Sequence, residues 1–235
     1  MSASLPLLTS KTLRRGAPPQ FDKLARIYHW MEYLSFGPAL TKCRNEFLPD
    51  TTHCRNALVI GDGDGRFTAR LLAANKTIRV DAIDASPAML EALLRGAGGN
   101  GARVRAEVAD ARAWRPRNSE RYDLVVTHFF LDCLTNDEVR KLADWIRSSS
   151  TPNALWMVSD FAVPHTIFGR LVARPLVSAL YRAFGLLTGL KIRSLPDHAS
   201  ALAAAGFRIG QKRTRLFGLV ASELWAGGVF ALTRH

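Results

Sequence analysis

The chain has 235 residues, 48% of them apolar, which is enough for one large domain with a buried core and excludes a low-complexity or disordered chain. Its net charge is +12 with a pI near 10.3, and the last third, from Phe161 to His235, holds ten Lys and Arg against two acids, a net of +8. Such a field attracts nucleic acid, anionic lipid or an acidic substrate, or else belongs to a soluble basic surface; charge alone does not choose.

Residues 1–20 carry Lys11, Arg14 and Arg15 without a long apolar run, so they read as a mobile basic arm and not as a signal peptide. Residues 21–235 read as one domain. Phe21, Leu24, Tyr28 and Met31 recur at helical spacing, and a second short helix follows Pro38 as far as about Phe47. Strands are predicted at Ala57–Ile60, Val80–Asp84, Gly101–Val108, Tyr122–Thr127 and Ala154–Val158. Helices are predicted over Phe67–Ala74, after Ser86 with Pro87 at the first helical position, and from about Asn136 to Arg147. Strands alternating with helices predict a Rossmann-like, doubly wound α/β sheet that is mostly parallel. A helix near Ala199–Ala205 then precedes two β-like segments, Phe207–Thr214 and Glu223–Thr233, which predict a closing antiparallel hairpin. An insertion of about 164–195 separates it from the fifth strand. The three cysteines, Cys43, Cys54 and Cys133, are too irregularly spaced for a disulfide framework or a metal cage and suit the reducing cytoplasm.

The glycine loop Gly61-Asp62-Gly63-Asp64-Gly65 follows the first strand and opens a helix. Glycines there let the backbone turn tightly and approach a ligand. A dinucleotide loop would place Arg66 where its third glycine belongs, and Asp62 and Asp64 would repel a pyrophosphate, so the loop prefers a cation such as an ammonium or sulfonium. Asp84, 23 residues after Gly61, ends the second strand, where a carboxylate can accept both ribose hydroxyls. Asp110, in Val108-Ala-Asp-Ala111, can take an adenine amino group at the tip of the third, with Met89 on the ring face. Each aspartate alone could be a turn residue; the ordered set describes an adenosine pocket.

Ala57–Phe67, Val80–Leu90 and Arg105–Trp114 together resemble the successive cofactor motifs of class I S-adenosylmethionine-dependent methyltransferases of type 11/12. Val80-Asp-Ala-Ile-Asp84-Ala85-Ser-Pro-Ala-Met89-Leu is the closest match. The likeness implies S-adenosyl-L-methionine as cofactor, its methionine part over Gly61–Gly65, its ribose on Asp84 with Ala85 beside it, and its adenine near Asp110 and Ala111. The family's acid two residues before the first glycine is Val59 here, so the amino group falls to Asp62 or Asp64. Spermidine synthase-like aminopropyltransferases also carry an aspartate at the place of Asp64.

Tyr122–Cys133 runs off the fourth strand, so Thr127, His128, Phe129 and Asp132 are expected to border the transferring methyl. The proline-containing motif of nucleic-acid amino-methyltransferases is missing, which disfavours base methylation. His128 reads either as a general base or as a wall of the pocket, and Asp132 either touches substrate or caps the next helix. Phe21–Tyr28 resembles the first helix of quinone- and lipid-type methyltransferases, where a tyrosine closes over the cofactor; Tyr28 is a lid candidate or a core contact. The insertion, with Arg170, Arg174 and Arg182 on one stripe and no acid between Thr166 and Leu190, reads as a lid or as an amphipathic segment on anionic lipid. The expected activity is methyl transfer to a small, apolar acceptor of quinone, phenol or lipid type. Aminopropyl transfer, which requires an acidic acceptor site, and a non-catalytic adapter for RNA or membrane are the alternatives. The oligomeric state is not legible.

Overall fold

The computed structural model describes residues 37–116, 121–162 and 195–228. The basic arm, the predicted helix over Phe21–Phe36 with Tyr28, and the insertion up to residue 194 lie outside the described residues.

In chain order the elements are α1 (Gly37–Arg44), β1 (Asn56–Ile60), α2 (Arg66–Ala74), β2 (Arg79–Asp84), α3 (Pro87–Ala97), β3 (Val104–Val108), β4 (Tyr122–His128), α4 (Asn136–Ser148), β5 (Ser150–Phe161), α5 (His198–Ala204), β6 (Arg208–Arg215) and β7 (Val220–Ala226). The strands form one sheet in the order β3-β2-β1-β4-β5-β7-β6. The first five are parallel, and β7 enters antiparallel between β5 and β6. The Rossmann-like sheet with a terminal hairpin is therefore as the alternation of elements predicts.

Both faces of the central strands are covered, so they read as unbroken apolar runs. Ala57 and Val59 of β1 pack with Phe67, Leu71 and Leu93 on one side, and Leu58 and Ile60 pack with Val139, Leu142 and Ile146 on the other. Ser86 caps α3, with Pro87 next, and Thr135 with Glu138 forms a capping box on α4.

Several boundaries differ from expectation. The helix after Pro38 stops at Arg44, and a 3₁₀ turn over Leu48–Thr51 takes up the chain before β1. The third strand starts at Val104, because Gly98–Arg103 coils into 3₁₀ turns. There Arg103 reaches the carbonyls of Leu72 at 2.7 Å and Asn75 at 2.8 Å. β5 extends to Phe161 and β7 starts at Val220, each pairing residues that lay beyond its predicted span. The longer β5 brings Asp160 into the sheet beside Glu223, at 3% and 2% exposed.

Candidate functional site

The loop after β1 is built from three glycines with left-handed φ, Gly61 at 70°, Gly63 at 61° and Gly65 at 77°. Their reasons differ. A β-carbon on Gly61 would come 2.8 Å from Phe130 Cδ2, and one on Gly65 would strike Leu93, whereas at Gly63 the only neighbour is Met89 Sδ at 3.9 Å. Gly61 and Gly65 are thus fixed by packing, and Gly63 leaves open backbone beneath the methionine sulfur.

Asp62 turns inward. One of its oxygens accepts the backbone amide of Thr68 at 2.9 Å and the Thr68 hydroxyl at 2.7 Å. Burial pushes its carboxyl up to about 6, against the pull of those bonds and of Arg44. Asp64 stays half-buried and pairs with Arg66 at 2.7 Å. The two carboxylates of the loop therefore stand in different surroundings.

Asp84, at the tip of β2, accepts the amide of Ser86 at 2.8 Å. Its burial raises its pKa, while the amides of Ser86, Gly63 and Ala85 favour its charge, which places the carboxylate beside the glycine loop. Ala85 is exposed, and Met89 is half-buried over Gly63. Asp110 stands just past β3 and is exposed, held by Arg112 through both oxygens at 2.6–3.0 Å. Hydrogen bonding to Arg112 lowers its carboxyl. Arg112 in turn reaches Glu138 of the capping box at 3.1 Å, a partner the sequence reading did not include. Ala111 is buried in the core.

Thr127 does not border a crevice. It is fully buried, and its hydroxyl accepts the Trp156 indole N–H at 2.9 Å, so it belongs to the core between β4 and β5. His128 is 3% exposed and stands edge-on to Phe67 at 4.7 Å. Neither ring nitrogen has a hydrogen-bond partner among the described residues. Burial first, and then the charge of Arg44, hold its pKa well below the ordinary value, so the ring is neutral at physiological pH. Phe129, just beyond, has a left-handed φ of 54°, uncommon for a bulky side chain, and donates its amide to Ser159 O at 2.6 Å. Asp132 is not the helix cap, which is Thr135; it is 1% exposed in a turn of 3₁₀ helix.

The sequence reading missed a cavity of about 370 Å³ at the carboxyl end of β5, walled by Asp132, Asp160, Glu223, His198 and Lys212 and by apolar groups including Phe161 and Leu195. Three acids, Asp132, Asp160 and Glu223, thus line one cavity, a grouping not foreseen in the chain. Glu223 accepts from Lys212 at 2.6 Å, His198 at 3.0 Å and the Trp225 indole at 3.0 Å. Burial raises its pKa, but His198 and Lys212 outweigh that and take it to about 2. The available signal was a lone acid within each of two largely buried strands.

Residues 57–153 match the model of a family described as a methyltransferase domain. Solved structures share the fold. The mitomycin 7-O-methyltransferase MmcR superposes with a TM-score of 0.65 at 17% identity, over 88% of this chain and 60% of that one. An O-methyltransferase family protein from Burkholderia thailandensis gives 0.60 at 14%, over 89% and 69%. The N-methyltransferase NodS from Bradyrhizobium japonicum WM9, in complex with S-adenosyl-L-homocysteine, gives 0.56 at 13%, over 93% of each chain. The chain spans about 60% of the length of the mitomycin enzyme. No curated protein matches it in sequence. Residues 57–153 thus resemble a methyltransferase domain, and the solved structures share its fold.

Proposed function

We propose that the chain binds S-adenosyl-L-methionine over Gly61–Gly65 and transfers its methyl group to a small acceptor seated at the carboxyl ends of β4 and β5. The observation that carries this reading is the placement of Asp84 beside the open backbone of Gly63. In this assignment Asp84 and Ala85 hold the ribose, Met89 lies on the adenine, and Asp110 and Ala111 bound its edge. Asp62 or Asp64 takes the amino group. The cofactor supplies a methyl on a positively charged sulfur, which the loop carboxylates favour.

The protein's part is placement and exclusion of water, which alone accounts for much of the rate in such transfers. Phe129, Phe130 and Phe161 give the acceptor side an apolar character, in keeping with a small acceptor that is largely apolar. His128, neutral and buried, fits a wall of the pocket better than a strong base. Tyr28 as a lid belongs to the same proposal.

Three unpaired cysteines favour the cytoplasm. Among the described residues no helix is long and apolar enough to cross a membrane. Peripheral contact with anionic lipid remains part of the proposal, tested by sedimentation with anionic liposomes at physiological salt.

Calorimetric titration with S-adenosylmethionine, S-adenosylhomocysteine and decarboxylated S-adenosylmethionine tests the reading: binding of the first two supports it, and failure of both overturns it. The acidic cavity favours aminopropyl transfer as the second reading, and binding of the decarboxylated compound alone would establish that one.

A further inference from the structure

We propose that the cavity beside Asp160 is the acceptor's docking site and that it takes a protonated amine carried on a small apolar body. The inference rests on the methyltransferase reading for the word acceptor, and on the cavity itself for the charge.

Asp160 is 3% exposed, lines the cavity, and neither of its oxygens has a hydrogen-bond partner among the described residues. Burial first, and then the charges of Asp132 and Glu223, push its carboxyl well above the ordinary value, so it holds a proton whose place a cation would take. Only the backbone amides of Asp132 and Phe130 favour its charge. An ionised carboxylate buried without a partner costs several kcal/mol, so a native fold keeps one only where a proton or a cation completes it. Among the described residues, the cations that line the cavity are committed elsewhere. Lys212 and His198 both bond Glu223, which also holds the Trp225 indole. Asp132, 1% exposed, adds a second negative charge at Asp160. Subtracting the Lys212–Glu223 pair leaves the cavity with an acidic floor.

The register explains how this floor arises. Asp160 pairs with Ala221 on β7, and Val158 pairs with Glu223, so the two acids are diagonal neighbours on one face of the sheet. Around them Val158, Phe161, Leu195 and Ala221 supply apolar wall. About 370 Å³ suits a small organic molecule.

Phe130 ties the cavity to the glycine loop. Its ring stands against Gly61, and its backbone amide faces Asp160. A methyl donor over Gly61 and an amine against Asp160 would share that residue as their common wall.

The test uses the full chain and two probes of one shape, phenethylamine and 2-phenylethanol, titrated by calorimetry at millimolar ligand with and without S-adenosylhomocysteine. The amine is expected to bind about tenfold tighter than the alcohol, as for one charge-assisted hydrogen bond. Asp160→Asn, nearly isosteric, should bring the two probes to equal affinity while its affinity for S-adenosylhomocysteine reports an intact fold. Equal binding of the probes by the wild-type chain, or a preference that survives in Asp160→Asn, overturns the cation site. Amine preference without any binding of S-adenosylhomocysteine keeps the cation site and sinks the methyltransferase reading. Binding of S-adenosylhomocysteine without amine preference does the reverse.

Discussion

Gly65 packs so closely on Leu93 that a β-carbon there would lie 2.5 Å from Leu93 Cγ and 2.6 Å from its Cα. The start of α2 and the middle of α3 therefore touch through backbone, and the glycine loop inherits its position from that contact. Gly65→Ala meets main-chain atoms that cannot rotate aside and also has to adopt φ of 77°. We expect a loss of about 2–4 kcal/mol in urea unfolding. Gly63→Ala, in open space, should cost only about 1 kcal/mol of stability, for its left-handed backbone. Its methyl group should nonetheless weaken S-adenosylhomocysteine binding at least tenfold in calorimetry. Normal binding by that variant would place the ligand elsewhere.

Asp84→Ala should weaken S-adenosylmethionine by about 1.5–3 kcal/mol, the worth of a charged hydrogen-bond acceptor. Isothermal titration measures it directly. An unaltered dissociation constant removes Asp84 from the ribose site.

Asp62 couples stability to pH. Its carboxyl titrates near 6 in the fold against 3.8 unfolded, so the folded chain binds the proton more tightly. The stabilising contribution is complete below 3.8 and is lost as pH rises through about 6. Asp62→Asn mimics the protonated form, and at pH 8 it should be about 2–3 kcal/mol more stable than wild type, with no difference at pH 3. If Asp62 also grips the cofactor's amino group, the same variant binds S-adenosylmethionine more weakly. A variant less stable at pH 8 than wild type would show that the buried charge is well compensated.

Glu223 has the opposite sign. Its folded value near 2 lies below the ordinary 4.5, so its contribution holds above 4.5 and disappears as pH falls toward 2. Wild type should lose about 2–3 kcal/mol over that window. Glu223→Gln should show a flatter acid limb in a series of urea midpoints. Superimposable limbs would mean that Lys212 and His198 do not hold the carboxylate in solution.

The parts of the site that were legible are those set by local sequence. Gly61–Gly65 follows an apolar strand and Asp84 ends the next, so both fall at the same rim of a parallel sheet once β1 and β2 pair in register. Thr127 was misplaced because a threonine on a strand gives no sign of which face it occupies, and here Trp156, 29 residues later, claims its hydroxyl. The acidic cavity was hidden for the same reason. Asp160 and Glu223 meet only through the antiparallel register of β5 and β7, and strand ends predicted a few residues short left both acids at the margins. Arg112 was invisible as the holder of Asp110 because its second anchor, Glu138, lies on α4, 26 residues away.

The outer strand β6 gives the chain's positive excess a use that requires no bound anion. It carries Arg208, Lys212, Arg213 and Arg215 and no acid, and among the described residues it closes one side of the sheet. An unpaired strand invites a second sheet to add to it, and a row of like charges repels any copy of itself. Lys212 and Arg215 are answered by Glu223 and Glu46, so Arg208 and Arg213 carry the strand's unbalanced charge, which opposes the approach of a like strand.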